Sequence, residues 1–332
     1  MSKNFHELEM RFVYGETLCE LIAENPAVMC LEADLSKASG TNPVVRERYP
    51  ANFLNVGVSE ANMIGIAAGL ASEGKTPFCA SFTCFASRRV YDQITISVAY
   101  ANMNVKIIGT SPGVTAGANG GTHMCFQDLA IMRAMPNMHV YSPCDALELR
   151  AVLRHMANTY QPTYMQLIRS QVAPIFAAEY AFDPQQAVCL REGREVTLVS
   201  TGYMTQFALR VADELRPAGV SVELLHYPSI KPFDAATLVA SARKTRAVVT
   251  VENQNILGGL GGAVCEILAE QCPTRVIRLG VPDQFGEVAS ETYLFQKHGF
   301  GAEQIETACR EAARARSMSA EPVRRDGDAG AD

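Results

Sequence analysis

A single carboxylate stands where an extended segment gives way to a helix. In Phe53-Leu-Asn-Val-Gly57-Val-Ser-Glu60-Ala-Asn-Met-Ile-Gly65-Ile-Ala-Ala-Gly-Leu70, a β-like apolar run ends at Gly57, and Glu60 opens a helical run of small and apolar residues. Gly65, Ala67, Ala68, Gly69 and Ala71 allow close packing of that helix against its neighbours. A carboxylate at the mouth of such an element is expected to be largely buried, and a buried lone carboxylate needs a partner or a proton. Proton sharing is therefore the chemistry open to it; taken alone, an acid in the first turn also serves simply as a helix cap. Downstream, Phe78-Cys-Ala-Ser-Phe82-Thr-Cys-Phe85-Ala-Ser-Arg88-Arg89-Val-Tyr91-Asp92-Gln93-Ile94 follows a strand-like stretch and sets two Phe residues three apart. At that spacing they share one helix face, which most often packs into a core.

The elements that must hold these groups alternate between strand and helix. Helical patterns cover Phe12–Ile22, Glu60–Ser72, Val90–Ala101, Gln127–Ala134 and Ala146–Ala157. Extended runs cover Ala27–Glu32, Thr76–Ser81, Val105–Gly109, His139–Ser142 and Tyr164–Ile168. Such alternation predicts a parallel sheet with helices on both faces. From Ser170 to Glu195 the chain is richer in Pro, Gln and Ala, has no clear period and reads as an interdomain linker. A second α/β unit follows, with strands at Glu195–Ser200, Val220–Leu225, Ala247–Val251 and Arg275–Leu279 and helices ending at Leu215 and spanning Gly261–Ala269. The expected architecture is α/β, two doubly wound domains over residues 1–180 and 181–316, and a polar tail over 317–332 that reads as disordered. The Gly258-Gly259-Leu260-Gly261 turn after a strand can cradle phosphate, but reads here as turn and packing.

Composition narrows the function. A chain of 332 residues favours two domains, and a net charge of −6 gives no basic footprint for nucleic acid. No apolar run is long enough to span a bilayer, and the Met1-Ser-Lys-Asn-Phe-His-Glu start lacks a signal-peptide core. Ten cysteines without a Cys-x-x-Cys pair fit reduced thiols and a cytoplasmic location. Cys84 and Cys125 read as small apolar fillers.

The Glu60 segment together with Phe82, Phe85 and Arg89-Val-Tyr-Asp-Gln resembles the pyrimidine-binding domain of thiamine-diphosphate enzymes, specifically the transketolase family. Val251-Glu252-Asn-Gln-Asn-Ile-Leu-Gly-Gly-Leu-Gly261 resembles that family's C-terminal domain. The resemblance implies thiamine diphosphate as cofactor, with Glu60 at the aminopyrimidine ring, Phe82 and Phe85 stacking on it, and Arg89 and Asp34 beside it. The cofactor carries the hard chemistry and the protein orients it. A carboxyl group at the ring nitrogen N1′ favours the imino tautomer by sharing a proton, a role suited to an acid in a low-dielectric pocket. Gly117-Ala-Asn119-Gly-Gly-Thr122-His123 resembles the family's Gly-Glu-Asp-Gly-x-Thr-His segment. On that match His123 contacts a substrate oxygen near the reacting carbon, and Asn119 replaces an aspartate that contacts a donor hydroxyl. Ser111 falls where the family has a substrate-contacting histidine, and Ala38 where a serine assists phosphate binding. Arg11 and Arg169 match two arginines for a sugar phosphate.

The family's Gly-Asp-Gly segment with a following Asn, which binds Mg²⁺ and the diphosphate, has no match; Gly327-Asp-Ala lies in the tail. The resemblance therefore implies the C-terminal half of a split transketolase. Its partner is an N-terminal subunit that supplies the Mg²⁺ and diphosphate ligands, in an α2β2 heterotetramer. The reaction implied is transfer of a two-carbon ketol unit from an anionic, non-standard ketose to an aldose. The nearest alternatives are the β subunit of a 2-oxo-acid dehydrogenase and a catalytically silent partner subunit.

Overall fold

The structure is a computed structural model that describes residues 5–177 and 180–320, with side chains described to residue 316. Its strands are β1 Val28–Glu32, β2 Phe53–Asn55, β3 Thr76–Phe82, β4 Lys106–Thr110, β5 His139–Tyr141, β6 Thr163–Leu167, β7 Val188–Arg191, β8 Val196–Ser200, β9 Val222–His226, β10 Ser229–Lys231, β11 Val248–Asn255 and β12 Val276–Val281. They form two sheets, ordered β10-β5-β6-β4-β3-β1-β2 and β12-β11-β8-β9-β7. All pairings are parallel except those of β10 with β5 and of β7 with β9.

β3, β4 and β6 are buried along their whole length, as expected of central parallel strands covered on both faces. Met10–Glu24 and Ala146–Asn158 pack on one face of the first sheet through Tyr14, Leu18, Leu149 and Val152. Glu60–Ser72 packs on the other through Met63, Ile64 and Ala67, in a core that also takes in Leu238, Leu260 and Val264 of the second half. A further core joins Val114, Ala116 and Phe126 to the helices and strands around β8 and β11. The halves are also hydrogen-bonded: Val114 N donates to Asn253 Oδ1 at 3.0 Å, and Asn253 Nδ2 to Pro112 O at 2.9 Å. Gly113, at φ +59°, makes that approach possible, because a Cβ there would lie 1.9 Å from Asn253 O.

The expected strand and helix alternation is present, together with helices that were not foreseen, among them Ala235–Thr245 and Glu291–His298, and with the following further differences. The Val90–Ala101 helix is composite: a 3-10 turn at Arg88–Val90, an α turn at Tyr91–Gln93, then a π-helix over Ile94–Tyr100. The stretch read as linker contains β7, an edge strand that satisfies its backbone against β9. β10 was not foreseen: three residues of the second half extend the first sheet, held by Ser142 N donating to Pro228 O. The tail expected from Ser317 begins inside a helix, Ala302–Ala320; residues 321–332 lie outside the described residues. Among the described residues, no helix is long and apolar enough to cross a membrane.

Candidate active site

Gly57, at φ +77°, turns the chain after β2, so that Glu60 becomes the first residue of its helix. Its carboxylate is not spent on the helix end. It is 4% exposed, and Oε2 accepts from Arg89 Nη1 at 3.0 Å across 29 residues of sequence. Oε1 has no hydrogen bond among the described residues. Arg89 is 47% exposed, and its guanidinium lies 3.8 Å from the centre of the Phe85 ring.

Phe82 and Phe85 do not share a helix. Phe82 closes β3 and Phe85 sits in the short helix Thr83–Ala86, yet the rings stand 6.1 Å apart. His123 faces both edge-on, at 5.8 Å from Phe82 and 5.3 Å from Phe85, and its Nδ1 lies 2.9 Å from Thr122 Oγ1. Leu35, Ala38, Cys84 and Cys125 close the back of this aromatic wall. Burial pushes the two thiols up to about 11 and about 12, so they are inert fillers, as expected.

The loop beneath is braced by Glu32, whose Oε1 accepts from Ser39 and, at 2.7 Å, from Thr41. Burial lifts that carboxyl to about 7. Asp34 lies on this loop, exposed, in the left-handed region at φ +61° and bonded to Asn55. The next residue, Leu35, packs against the aromatic wall. Asn119 is likewise exposed, at the end of the turn Gly113–Asn119.

A second cluster is charged. Arg11, Ser111 and Arg169 line one cavity of about 300 Å³ with Glu9, Thr115, Ser170 and Glu291. The Arg169 guanidinium sits 5.2 Å from the centre of Phe82, so the cavity adjoins the aromatic wall. Ser111 follows β4 at φ +55°, and its buried Oγ has no hydrogen-bond partner. Left-handed backbone at a non-glycine residue costs free energy and tends to collect at functional sites; here it marks both Asp34 and Ser111. Sequence reasoning missed Glu9, Thr115, Ser170 and Glu291. Glu291 comes from the second half of the chain, and no local signal ties it to Arg169.

The chain is matched by the transketolase pyrimidine-binding domain over residues 6–174 and by the transketolase C-terminal domain over residues 185–305. The chain belongs to the transketolase family. It is 45% identical to the 6-deoxy-6-sulfo-D-fructose transketolase subunit SqwH of Clostridium sp. strain MSTE9, over 91% of this chain and 94% of that one. It is 32% identical to an apulose-4-phosphate transketolase subunit of Phocaeicola vulgatus, over 88% and 93%. Among solved structures it superposes on a split-gene transketolase, an inactive β4 tetramer, with a TM-score of 0.84 and 38% identity over 93% of this chain and 99% of that one. These relatives are split transketolase subunits along nearly their full length. They support a transferase of the transketolase type, acting with a partner, over the 2-oxo-acid dehydrogenase reading.

The family implies thiamine diphosphate, and the donor set suits its aminopyrimidine: one enclosed carboxylate with a free oxygen beside an aromatic wall. The glycine turn of the second half holds no comparable opening. Glu252 fills the N-terminus of Leu260–Gln271, accepting from Leu260 N and Gly261 N at 2.8 Å each. Among the described residues, Cys144, Glu148 and His226 lie close enough to share a metal ion. Glu148 there already accepts from Cys144 N and Tyr180 Oη and pairs with His226 Nε2, which makes the group a knot between the two halves.

Proposed function

We propose that this chain is the pyrimidine-binding half of a split thiamine-diphosphate-dependent transketolase, built as modules over 1–180 and 181–316. It moves a two-carbon ketol unit from an anionic ketose to an aldose. The observation that carries this reading is the continuity of the site. Glu60 with its free oxygen leads through Arg89, Phe85, His123 and Phe82 to Arg169 and its cavity.

Thiamine diphosphate, when bound, supplies the carbon nucleophile and the electron sink for cleavage of the ketose. Glu60 Oε1 shares a proton at N1′ of the ring. Arg89 fixes the other oxygen, so the carboxylate keeps one orientation. Phe82 and Phe85 stack against the ring and exclude water from it. His123 bonds to the substrate oxygen nearest the reacting carbon, with its ring held through Nδ1 by Thr122 Oγ1. Arg11 and Arg169 orient the anionic end of the donor by the geometric match of guanidinium to oxyanion. Asp34 lies beside the cofactor, and Asn119 contacts a hydroxyl of the donor.

The Mg²⁺ and diphosphate ligands belong to an N-terminal partner subunit, in an α2β2 assembly. The helix carrying Glu60 supports this: Ala61, Gly65 and Gly69 lie exposed along one face, and a Cβ built on either glycine meets nothing. Beside them Val58, Ile96 and Tyr100 are 76%, 57% and 84% exposed. An apolar face of small residues at the mouth of the site suits a covering subunit. All ten cysteines are free thiols, in keeping with the cytoplasm.

The relatives' names suggest sulfonated or unusual phosphorylated ketoses as donors, and the replacements at Ala38, Ser111 and Asn119 point the same way. The test is reconstitution with the N-terminal subunit, thiamine diphosphate and Mg²⁺, assayed on 6-deoxy-6-sulfo-D-fructose, apulose 4-phosphate and xylulose 5-phosphate. Ketol transfer is expected only from the pair, with xylulose 5-phosphate the poorest donor. Transfer by the chain alone would overturn the split assembly. Xylulose 5-phosphate as the best donor would overturn the substrate reading, and a pair that binds cofactor without turnover would leave a silent subunit.

A further inference from the structure

The anion cavity is not simply basic. Its two arginines face two carboxylates, and they are arranged unequally. Arg11 is paired with Glu9 at 2.5 Å. Arg169 makes no ion pair among the described residues; its guanidinium lies against Phe82. Half-buried, it has its pKa lowered by desolvation and then by Arg11 across the cavity. Ser111 lines the same space, and its buried Oγ has no hydrogen-bond partner. One unpaired guanidinium is thus ready for an oxyanion head, next to a serine whose hydroxyl is unused.

Glu291 is the fourth charge. It opens the helix Glu291–His298 of the second half and lines the cavity of the first, while Tyr203, which lines the neighbouring cavity, donates from Oη to its Oε2 at 2.9 Å. It separates this cavity from a neighbouring one lined by Arg210 and Glu303, whose charges offset each other. The charged groups that share a cavity with Glu291 are therefore Glu9, Arg11 and Arg169 on the anion side, and Arg210 and Glu303, with Tyr203, on the other. The four cavity charges cancel. A monoanionic head leaves the cavity with one net negative charge, whereas a dianionic head leaves two in a lining that includes the Glu291 carboxylate.

Resting on the transketolase reading above, we infer that Glu291, anchored by Tyr203, makes this subsite selective for a monoanionic oxyanion head of the sulfonate class and excludes the phosphate dianion. The C-terminal half thereby sets donor specificity. Like charges juxtaposed in a binding site are a means of rejection.

The test uses the reconstituted assembly and two ketose donors, 6-deoxy-6-sulfo-D-fructose and fructose 6-phosphate. A phosphate monoester loses its second proton near pH 6, whereas a sulfonate stays a monoanion. The ratio of kcat/KM, phosphate over sulfonate, cancels titrations of the enzyme that both donors share. In the wild type this ratio should fall by about 25-fold between pH 5.5 and 7.5, following the loss of monoanion. In Glu291→Gln the fall should vanish, so that at pH 7.5 the ratio should rise by about the same factor. Tyr203→Phe, which frees Glu291 without removing its charge, should give a smaller rise. A ratio unchanged in Glu291→Gln, or independent of pH in the wild type, would overturn the inference. Arg169→Ala separates the two levels: it should raise KM for both donors. If it does so while Glu291→Gln changes nothing, only the role of Glu291 fails. If it changes neither KM, the anion subsite itself fails.

Discussion

The molecule contains two glycine-marked junctions at which a strand feeds a helix, and they have opposite fates. At the first, Gly57 turns the chain and Glu60 starts a helix whose carboxylate points away from its own backbone, with one oxygen on Arg89 and the other free. At the second, Gly258-Gly259 leads into Leu260–Gln271, and Glu252 from β11 folds back to take two backbone N–H groups. A Cβ at Gly259 would lie 2.0 Å from Glu252 Oε2, so glycine is needed for the carboxylate to fit. Burial lifts Glu252 to about 7 despite those two bonds. A helix N-terminus attracts an anion in either case. Where the chain supplies its own, the junction becomes a closed structural element; where it does not, the acid is left for chemistry.

The comparison breaks most sharply on Glu60. Glu60→Gln should lower turnover of the cofactor-saturated assembly by about 10²–10⁴, because control of the N1′ proton is lost. Its melting temperature should barely move, since the ion pair removed is half exposed on the Arg89 side. Near-normal turnover would remove Glu60 from its role and make the two junctions equivalent.

Glu252→Ala should behave in the opposite way. It strips the acceptor from two buried N–H groups and should cost about 1–3 kcal/mol in urea unfolding. Turnover per folded molecule should stay near the wild-type value. A large loss of kcat at full occupancy of the folded state would give the second junction a catalytic share.

A pH series sharpens the same point. The folded pKa of Glu252 is raised above its unfolded value, so its stabilising contribution is complete below about 4.5 and is lost as pH rises through about 7. Glu252→Gln is nearly isosteric with the protonated acid and does not titrate. Its Nε2 cannot accept from an N–H, so the variant should lie below the wild type at pH 5 and gain on it by about 2–3 kcal/mol between pH 5 and pH 8, for a shift from 4.5 to about 7 at about 1.4 kcal/mol per pKa unit. Parallel stability curves for the two proteins would show that Glu252 stays ionised throughout.

The smallest effect is expected at Arg89. Arg89→Met keeps an apolar stem over Phe85 and removes the pair with Glu60, and should cost about 0.2–1 kcal/mol in thermal unfolding. If it costs as much as Glu252→Ala, Glu60 is a structural acid like its counterpart.

The sequence by itself determined the parts whose cause is local. Period-2 and helical patterning placed most of the central strands and the helices that cover them, because side-chain direction repeats within a few residues. The turn at Gly57 and the helix start at Glu60 were legible for the same reason, as was the aromatic pair beside them. Residue-by-residue resemblance selected Arg11, Ser111 and Arg169, and the fold does gather those three around one cavity. Tertiary structure alone decided which groups meet across long stretches of chain. Only closure of the fold pairs Arg89 with Glu60, brings His123 to both Phe rings and sets Arg169 beside Phe82. β10 joins the first sheet because an edge there has backbone groups to satisfy, and three residues are too few to announce a strand. Glu291 reaches the anion cavity only because the second half docks through a shared apolar core. Such encounters leave no periodic or compositional trace, since they are fixed by packing and charge between segments that are remote in the chain.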